Sequence, residues 1–297
     1  MKVLTFPDGE VQAARLADAL SHGGAGVISY ALIEVHRFPD GESRVMVPTP
    51  LPEQVVIFCS LDRPEGKLIE LLLAASAARD QGVKRLILVV PYLCYMRQDK
   101  AFHAGEAVSQ RVIGKLLADA FDVVMTVDPH LHRVHQLQEA VPAATAIALS
   151  ATGLMADFLQ EHVERPWLLG PDAESRQWVE AIAAGHGFDA GVAEKERLGD
   201  SNVHVHLPGG ANVAGRNVVL VDDVASTGRT LLAAAEAARA AGAASVSAVV
   251  THALFAGDAW SKLRHAGFDH IWSTDSISHS SNVICLAPLL ADAIQAV

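Results

Sequence analysis

Two adjacent carboxylates, Asp222 and Asp223, are followed at once by the small polar residues Ser226, Thr227, Gly228 and Thr230. Carboxylates accept hydrogen bonds from sugar hydroxyls or attract hydrated Mg²⁺. Backbone N–H groups of a small-residue loop at a helix start cradle a phosphate. Together these residue types predict a pocket for a phosphorylated sugar. Neither G-x-x-x-x-G-K-[ST] nor G-x-G-x-x-G after a strand occurs, so the loop is not of a common nucleotide-binding kind. A plain βα turn with Ser and Thr as helix caps is the alternative. Two acids side by side suit it poorly, because like charges repel and their burial costs free energy.

Further candidate groups sit at predicted strand ends. Glu194–Arg197 reads EKER, and Lys195 and Arg197 are the kind of cations that neutralise charge in phosphoryl transfer. Phe38-Pro39-Asp40-Gly41-Glu42 lies between a strand and the alternating run Ser43–Val47, which predicts a hairpin or loop. Phe38 could stack on a purine, with Asp40 and Glu42 accepting from its exocyclic amine; an ordinary Asp-Gly turn is equally compatible. The same pentapeptide at Phe6–Glu10 precedes a helical pattern, so Asp8 reads as a helix cap. Arg97, Gln98 and Lys100 follow the strand ending at Val90 and so emerge at a sheet's carboxyl edge, where open α/β sheets bind ligands; a solvated turn is the alternative. His130, His132 and His135 lack a Cys or Glu-rich partner motif, which favours modest histidine roles over zinc. Asp172, after Gly170-Pro171, could hold Mg²⁺ through its water shell. His204 and His206 alternate in a strand-like run and are expected to face solvent.

The elements that must position these groups are short apolar strands alternating with helical patterns, which predicts a parallel α/β architecture. Expected strands are Val27–His36, Val55–Ser60, Arg85–Val90, Val123–Asp128, Trp167–Gly170, Ala190–Glu194, Val218–Val221, Ser245–Val250, Ile271–Thr274 and Val283–Leu286. Helical patterns include Glu65–Gln81, Gly105–Ala120, Ala151–His162 and Leu231–Ala241. Leu61–Gly82 and Val221–Gly242 align without a gap, Asp62 under Asp222 and Gly82 under Gly242. The two halves therefore look like copies of one unit, of which only the second keeps a phosphate loop. The expected domains are 1–149 and 150–297, with the C-terminal segment free to return to the first half.

The totals narrow the function class. A chain of 297 residues, 51% hydrophobic and 19% charged, suits two globular domains. A formal charge of -11 argues against a nucleic-acid or anionic-membrane surface. Three cysteines without metal-like spacing suit a reducing cytoplasm. The N-terminus has no signal-peptide core, and the longest apolar stretch, Leu86–Met96, is too short to span a bilayer.

The run Asp222–Thr230 resembles the phosphoribosyl-pyrophosphate loop of type I phosphoribosyltransferases and ribose-phosphate diphosphokinases. A tandem with one degenerate half resembles the diphosphokinases in particular, and the likeness covers nearly the whole chain, with its motifs in order. It implies two tandem phosphoribosyltransferase-like α/β domains, each a mainly parallel sheet flanked by helices. It also implies pyrophosphoryl transfer from ATP to ribose 5-phosphate, with Mg²⁺ as cofactor. By position, Asp222, Asp223, Ser226, Thr227, Gly228, Arg229 and Thr230 would bind ribose 5-phosphate. Phe38, Asp40, Gly41, Glu42, Arg97, Gln98 and Asp99 would bind ATP, with the adenine loop lying across a subunit contact. His130 and Asp172 would serve the metal, and Lys195 and Arg197 catalysis. A cytoplasmic, dimer-based homo-oligomer (dimer, tetramer or hexamer) is implied, without nucleic-acid or membrane partners. Ser226 and Arg229 depart from the commoner Asp-Thr-Gly-Gly-Thr loop and add positive charge. Ala101–Val108 is unlike the basic loop of the allosterically regulated enzymes, and the chain is closer to divergent, archaeal-type members. A phosphoribosyltransferase and a catalytically silent regulatory homologue are the rival readings.

Overall fold

The computed structural model describes residues 1–23, 26–131, 133–198, 202–207 and 211–297, and of residues 195–198 and 202–205 the backbone alone. The first unit opens with β1 (Lys2–Thr5), α1 (Glu10–His22) and β2 (Tyr30–Leu32). An antiparallel hairpin of β3 (Glu34–Arg37) and β4 (Ser43–Met46) follows. Next come β5 (Gln54–Phe58), α2 (Pro64–Asp80), β6 (Arg85–Val89) and α3 (Ser109–Ala120). β7 (Val123–Val127), the single turn α4 (Leu137–Ala140) and β8 (Thr145–Leu149) complete the run. The strands form a parallel sheet of order β2-β1-β5-β6-β7-β8. Its central strands are nearly uninterrupted runs of Val, Ile and Leu because helices cover both faces.

The second unit starts with α5 (Thr152–His162), β9 (Trp167–Gly170), α6 (Arg176–His186) and β10 (Asp189–Val192). A second antiparallel hairpin, β11 (Glu194–Leu198) with β12 (Asn202–His206), is inserted at the same point of the topology. β13 (Asn217–Val224), α7 (Arg229–Ala240), β14 (Ser245–His252), α8 (Ala259–His265), β15 (Ile271–Thr274) and β16 (Asn282–Ile284) follow. The sheet order is β10-β9-β13-β14-β15-β16, again parallel, and matches the first unit strand for strand.

The likeness extends to single hydrogen bonds. Asp122 accepts from Leu86 N at 2.7 Å, and Asp269 accepts from Val246 N at 2.8 Å, at corresponding places. Gly82 and Gly242 both take φ near +87°, at 87° and 86°, to turn the chain out of α2 and α7.

The last helix, α9 (Ala287–Gln295), packs on α1, and α5 packs on α6. Each of these helices follows the final strand of one half yet belongs to the other unit. The compact units are accordingly 1–149 with 286–297, and 150–285, so Leu286–Val297 leave the 150–297 range expected for them.

Several boundaries differ from the sequence expectation. β1 and β8 were not expected: the first is cut short by the Pro7 turn, and the second, Thr-Ala-Ile-Ala-Leu, is poor in β-branched residues. The expected strand Val27–His36 is split at buried Ile33 into β2 and β3. α3 begins at Ser109 and not at Gly105, whose φ of +90° lies outside the helical region. Among the described residues no helix is long and apolar enough to cross a membrane.

Candidate functional site

In both sheets the chain order reverses between the first strand and its neighbour, β1 and β5 in one unit, β9 and β13 in the other. Ligands of open α/β sheets bind at the carboxyl ends of strands beside such a reversal. Asp172 follows β9, and Asp222 and Asp223 end β13, so the three carboxylates flank the reversal in the second unit. β13 runs on past the expected Val221, pairing Asp222 with Val250 and Val224 with His252 of β14. The acids are thus held by the ladder and point to opposite faces. Asp223 is buried, and its Oδ1 accepts from Val224 N at 2.7 Å. Asp222 is half-buried, and its Oδ1 accepts from Asp223 N at 3.1 Å. Burial, then the charge of Asp223, then that of Asp172, push the Asp222 carboxyl well above the usual carboxylate range. A cation beside these groups relieves that strain.

The loop after β13 is fixed from below by the end of β14. Ala225 N donates to His252 O at 3.0 Å, Phe255 N to Ala225 O at 2.7 Å, and Ala256 N to Ser226 O at 3.0 Å. Gly228 then takes φ +71° and α7 begins at Arg229. That glycine is required, since a Cβ there would also come within 3.1 Å of the Leu263 side chain. Thr227 and Arg229 are exposed, with Ser226 and Thr230 half-buried. The start of α7 presents unpaired N–H groups and the positive end of its dipole to this loop. The supporting segment His252–Ala256 carries no motif, and only its place after an apolar strand could have pointed to it.

The corresponding place in the first unit is closed. By strand register Cys59 takes the place of Asp222, and Asp8 and Asp62, just past the ends of β1 and β5, enclose the Lys67 ammonium. This ammonium donates to Asp62 Oδ1 at 2.6 Å and Ser60 O at 2.9 Å, and pairs with Asp8 Oδ2 at 2.7 Å. Burial alone would lower the Lys67 pKa; the hydrogen bonds to Asp62 and Asp8 outweigh it and raise it. Asp8 is therefore an ion-pair partner and not the helix cap expected for it, for α1 has no side-chain cap. α2 starts directly at Pro64, so no loop comparable to 225–228 remains.

Other expected residues lie at the same carboxyl edge of the first unit or on its hairpin. Phe38, Asp40, Gly41 and Glu42 form the exposed tip between β3 and β4. Phe38 N donates to Glu42 O at 2.8 Å, Gly41 N to Phe38 O at 2.9 Å, and Glu42 N to Asp40 Oδ1 at 3.1 Å. Arg97 is exposed after β6, while Gln98 is half-buried and accepts from Ser109 Oγ at 3.0 Å. Asp99, expected to touch a nucleotide, is buried instead and pairs with Arg133 at 2.6 Å. Arg133 was missed in the sequence because nothing marks it apart from neighbouring histidines. His130 is half-buried after β7. His132 lies outside the described residues.

Lys195 and Arg197 sit on β11, opposite Val205 and Val203 of β12. Their side chains, with that of His204, lie outside the described residues; His206 is exposed. Among the described residues no three His, Cys, Asp or Glu side chains converge as a closed metal cage. A cleft of about 540 Å³ between Glu164, Arg165, Phe188, Asp189 and Arg216 lies at the opposite, amino-terminal edge of the second sheet. Arg216 there is already paired with Asp189 at 2.9 Å, and the cleft contains none of the groups above.

Residues 1–120 match the model of the N-terminal domain of ribose phosphate pyrophosphokinase, and residues 138–285 match the phosphoribosyl transferase domain. A ribose-phosphate pyrophosphokinase of Methanopyrus kandleri is 36% identical over 99% of this chain and 99% of its own length. One from Methanosarcina acetivorans is 30% identical, with 99% of each chain covered. The crystal structure of phosphoribosylpyrophosphate synthetase from Mycobacterium smegmatis superposes with a TM-score of 0.83 at 23% identity, covering 99% of this chain and 97% of that one.

Proposed function

The chain belongs to the ribose phosphate pyrophosphokinase family, and from that premise we propose that it makes 5-phosphoribosyl 1-diphosphate and AMP from ribose 5-phosphate and ATP. The observation that carries the reading is the contrast between the two strand-order reversals. One is closed by Lys67, whereas the other has three carboxylates and a loop at a helix start. The ribose 1-hydroxyl oxygen attacks the β-phosphorus of ATP. The bond from that phosphorus to the α,β-bridging oxygen breaks, AMP leaves with the oxygen, and the hydroxyl proton passes to solvent. No covalent enzyme intermediate is needed, so positioning and electrostatics supply the catalysis.

Asp222 and Asp223 accept hydrogen bonds from the ribose 2- and 3-hydroxyls. Ser226, Thr227, Gly228, Arg229 and Thr230 receive the 5-phosphate on backbone N–H groups and hydroxyls, and the Arg229 guanidinium adds charge. Lys195 and Arg197 stabilise charge that develops on the transferred group. Phe38, Asp40, Gly41 and Glu42 take the adenine, and Arg97 and Gln98 the rest of the nucleotide. Asp99 acts through Arg133, because its own carboxylate is buried. Asp172 and His130 would each serve a hydrated Mg²⁺, with the remaining ligands supplied by water and phosphate. Bound Mg²⁺ supplies charge neutralisation for the triphosphate. The exposure of residues 38–42 supports a dimer-based homo-oligomer in which a second copy completes the adenine pocket. A cytoplasmic setting fits substrates of this kind.

Phosphorus NMR of the purified protein with Mg²⁺, ATP and ribose 5-phosphate tests the proposal. The expected outcome is AMP together with a new sugar-linked diphosphate. ADP in its place would mean ordinary phosphoryl transfer. Absence of turnover with tight phosphoribosyl pyrophosphate binding would transfer the chain to the phosphoribosyltransferase or regulatory reading.

A further inference from the structure

We propose that Glu70 is a positioning residue for ATP: its buried carboxylate sets the direction of the loop 38–42 by clamping both arms of the hairpin. The inference rests on the reading of that loop as the adenine site.

The loop fixes its own shape but not its place. Its closing bonds, Phe38 N to Glu42 O and Gly41 N to Phe38 O, are internal, as is the Asp40 acceptance from Glu42 N. Among the described residues β3 and β4 pair only with each other, and a lone two-stranded hairpin is marginal in water. His36, Arg44 and Met46 are exposed, so one face of the hairpin has no support. The other face rests Val35 and Val45 on the core of the unit. Apolar contact of this kind is non-directional and does not determine where the tip points.

Direction comes from the last register pair before the tip, Arg37 opposite Ser43. Glu70 Oε1 accepts from Arg37 Nε at 2.9 Å, from the second guanidinium nitrogen at 2.9 Å and from Ser43 Oγ at 3.1 Å. One carboxylate oxygen thus joins both arms to α2. The Glu70 side chain is only 8% exposed, whereas that of Arg37 is 68% exposed. A buried carboxylate held by charge-assisted bonds is a far firmer anchor than a surface ion pair. Glu70 also aligns with Thr230, in the first turn of α7 in the other copy. Where one copy uses that helix turn for its phosphate loop, the other uses it to hold a hairpin. Lys67, one turn earlier, fastens α2 to Asp8 and Asp62, so the clamp stands on a fixed helix.

The test compares Glu70→Gln, Arg37→Ala and the loop variant Phe38→Ala in the full-length enzyme. Steady-state constants for both substrates are read together with hydrogen exchange at the Gly41 and Glu42 amides. The expected result for Glu70→Gln and Arg37→Ala is a rise of about tenfold in KM for ATP, with KM for ribose 5-phosphate and kcat within about twofold of the parent. Faster exchange of the two loop amides accompanies it. If Phe38→Ala raises KM for ATP while Glu70→Gln and Arg37→Ala leave it unchanged, the clamp is refuted and the adenine reading survives. Equal losses in kcat and in both KM values, with a lower Tm, would make Glu70 a general structural residue and overturn the proposal. An unchanged KM for ATP in Phe38→Ala would overturn the adenine reading, and the clamp's role in catalysis with it.

Discussion

The Lys67 ammonium lies 2.6 Å from Oδ1 of Asp62 and 2.7 Å from Oδ2 of Asp8, just past the ends of β5 and β1. The first unit thus neutralises this pair of acids with a cation of its own chain. Replacing Lys67 with Ala should destabilise the protein by about 2 kcal/mol near neutral pH, the penalty of a broken buried pair discounted for partial exposure. Urea unfolding measures it. Mg²⁺ should also raise Tm more in the variant than in the parent, because Asp8 and Asp62 have lost their shared cation. Equal Mg²⁺ increments would show that these two acids do not hold a cation together.

Asp222 gives a prediction of opposite sign. A carboxyl whose folded-state pKa is raised favours the fold while protonated, below its unfolded value of about 3.8. That advantage is lost as pH rises through the folded-state pKa, since the charged form must then share a half-buried place with Asp223 and Asp172. The metal-free protein should accordingly melt earlier as pH is raised above 4, and Asp222→Asn should remove much of the slope and raise Tm at neutral pH. The same variant should abolish turnover. A neutral-pH Tm lower than the parent's would show that the Asp222 charge stabilises the fold, against this account.

Gly228 and Gly242 form a matched pair for separating strain from function. Both have positive φ, at 71° and 86°, so Ala at either place should cost about 1 kcal/mol in backbone strain. At Gly228 the new Cβ would additionally press on Leu263 at 3.1 Å, whereas at Gly242 the nearest atom is Ala214 Cβ at 3.6 Å. Gly228→Ala should raise KM for ribose 5-phosphate by roughly tenfold, while Gly242→Ala should change stability alone. Denaturant titration with substrate kinetics on both variants distinguishes the cases; an unaltered KM in Gly228→Ala would remove the loop from the sugar-phosphate site.

Much of this arrangement is legible in the chain because its signals are local. Val218–Val221, the acids and the small-residue loop announce a strand, a charge pair and a helix start in consecutive residues. The gapless alignment of Leu61–Gly82 with Val221–Gly242 holds in the structure over the helix ends and the glycines after them, whereas strand register puts Cys59 and not Asp62 at the place of Asp222. Roles made by distant residues were not legible. Asp8 looked like a cap because its partner, Lys67, is far away in sequence. Asp99 was expected to touch a nucleotide, but it is buried and paired with Arg133, far away in sequence. Glu70 has the spacing of an ordinary helix residue, and nothing local distinguishes a buried clamp from a solvated acid. The place of α5 in the second unit and the return of α9 to the first agree with the domain boundary near residue 150 and with a C-terminal segment free to return.

The two hairpins make the strongest case for a division of labour. β3–β4 and β11–β12 are inserted at the same point of two matching sheets, after the second strand of each unit. One carries the exposed loop read as the adenine site, and the other carries Lys195 and Arg197 in its first strand. A cation on β11 that serves the transition state should matter to the chemical step and little to ground-state binding. Lys195→Ala should therefore lower kcat by roughly a thousandfold while the Kd for ATP stays within about threefold of the parent. Single-turnover kinetics and calorimetric titration of ATP measure the two quantities separately. A weaker Kd accounting for the whole loss would make Lys195 a binding residue, and unchanged turnover would remove the hairpin from the mechanism.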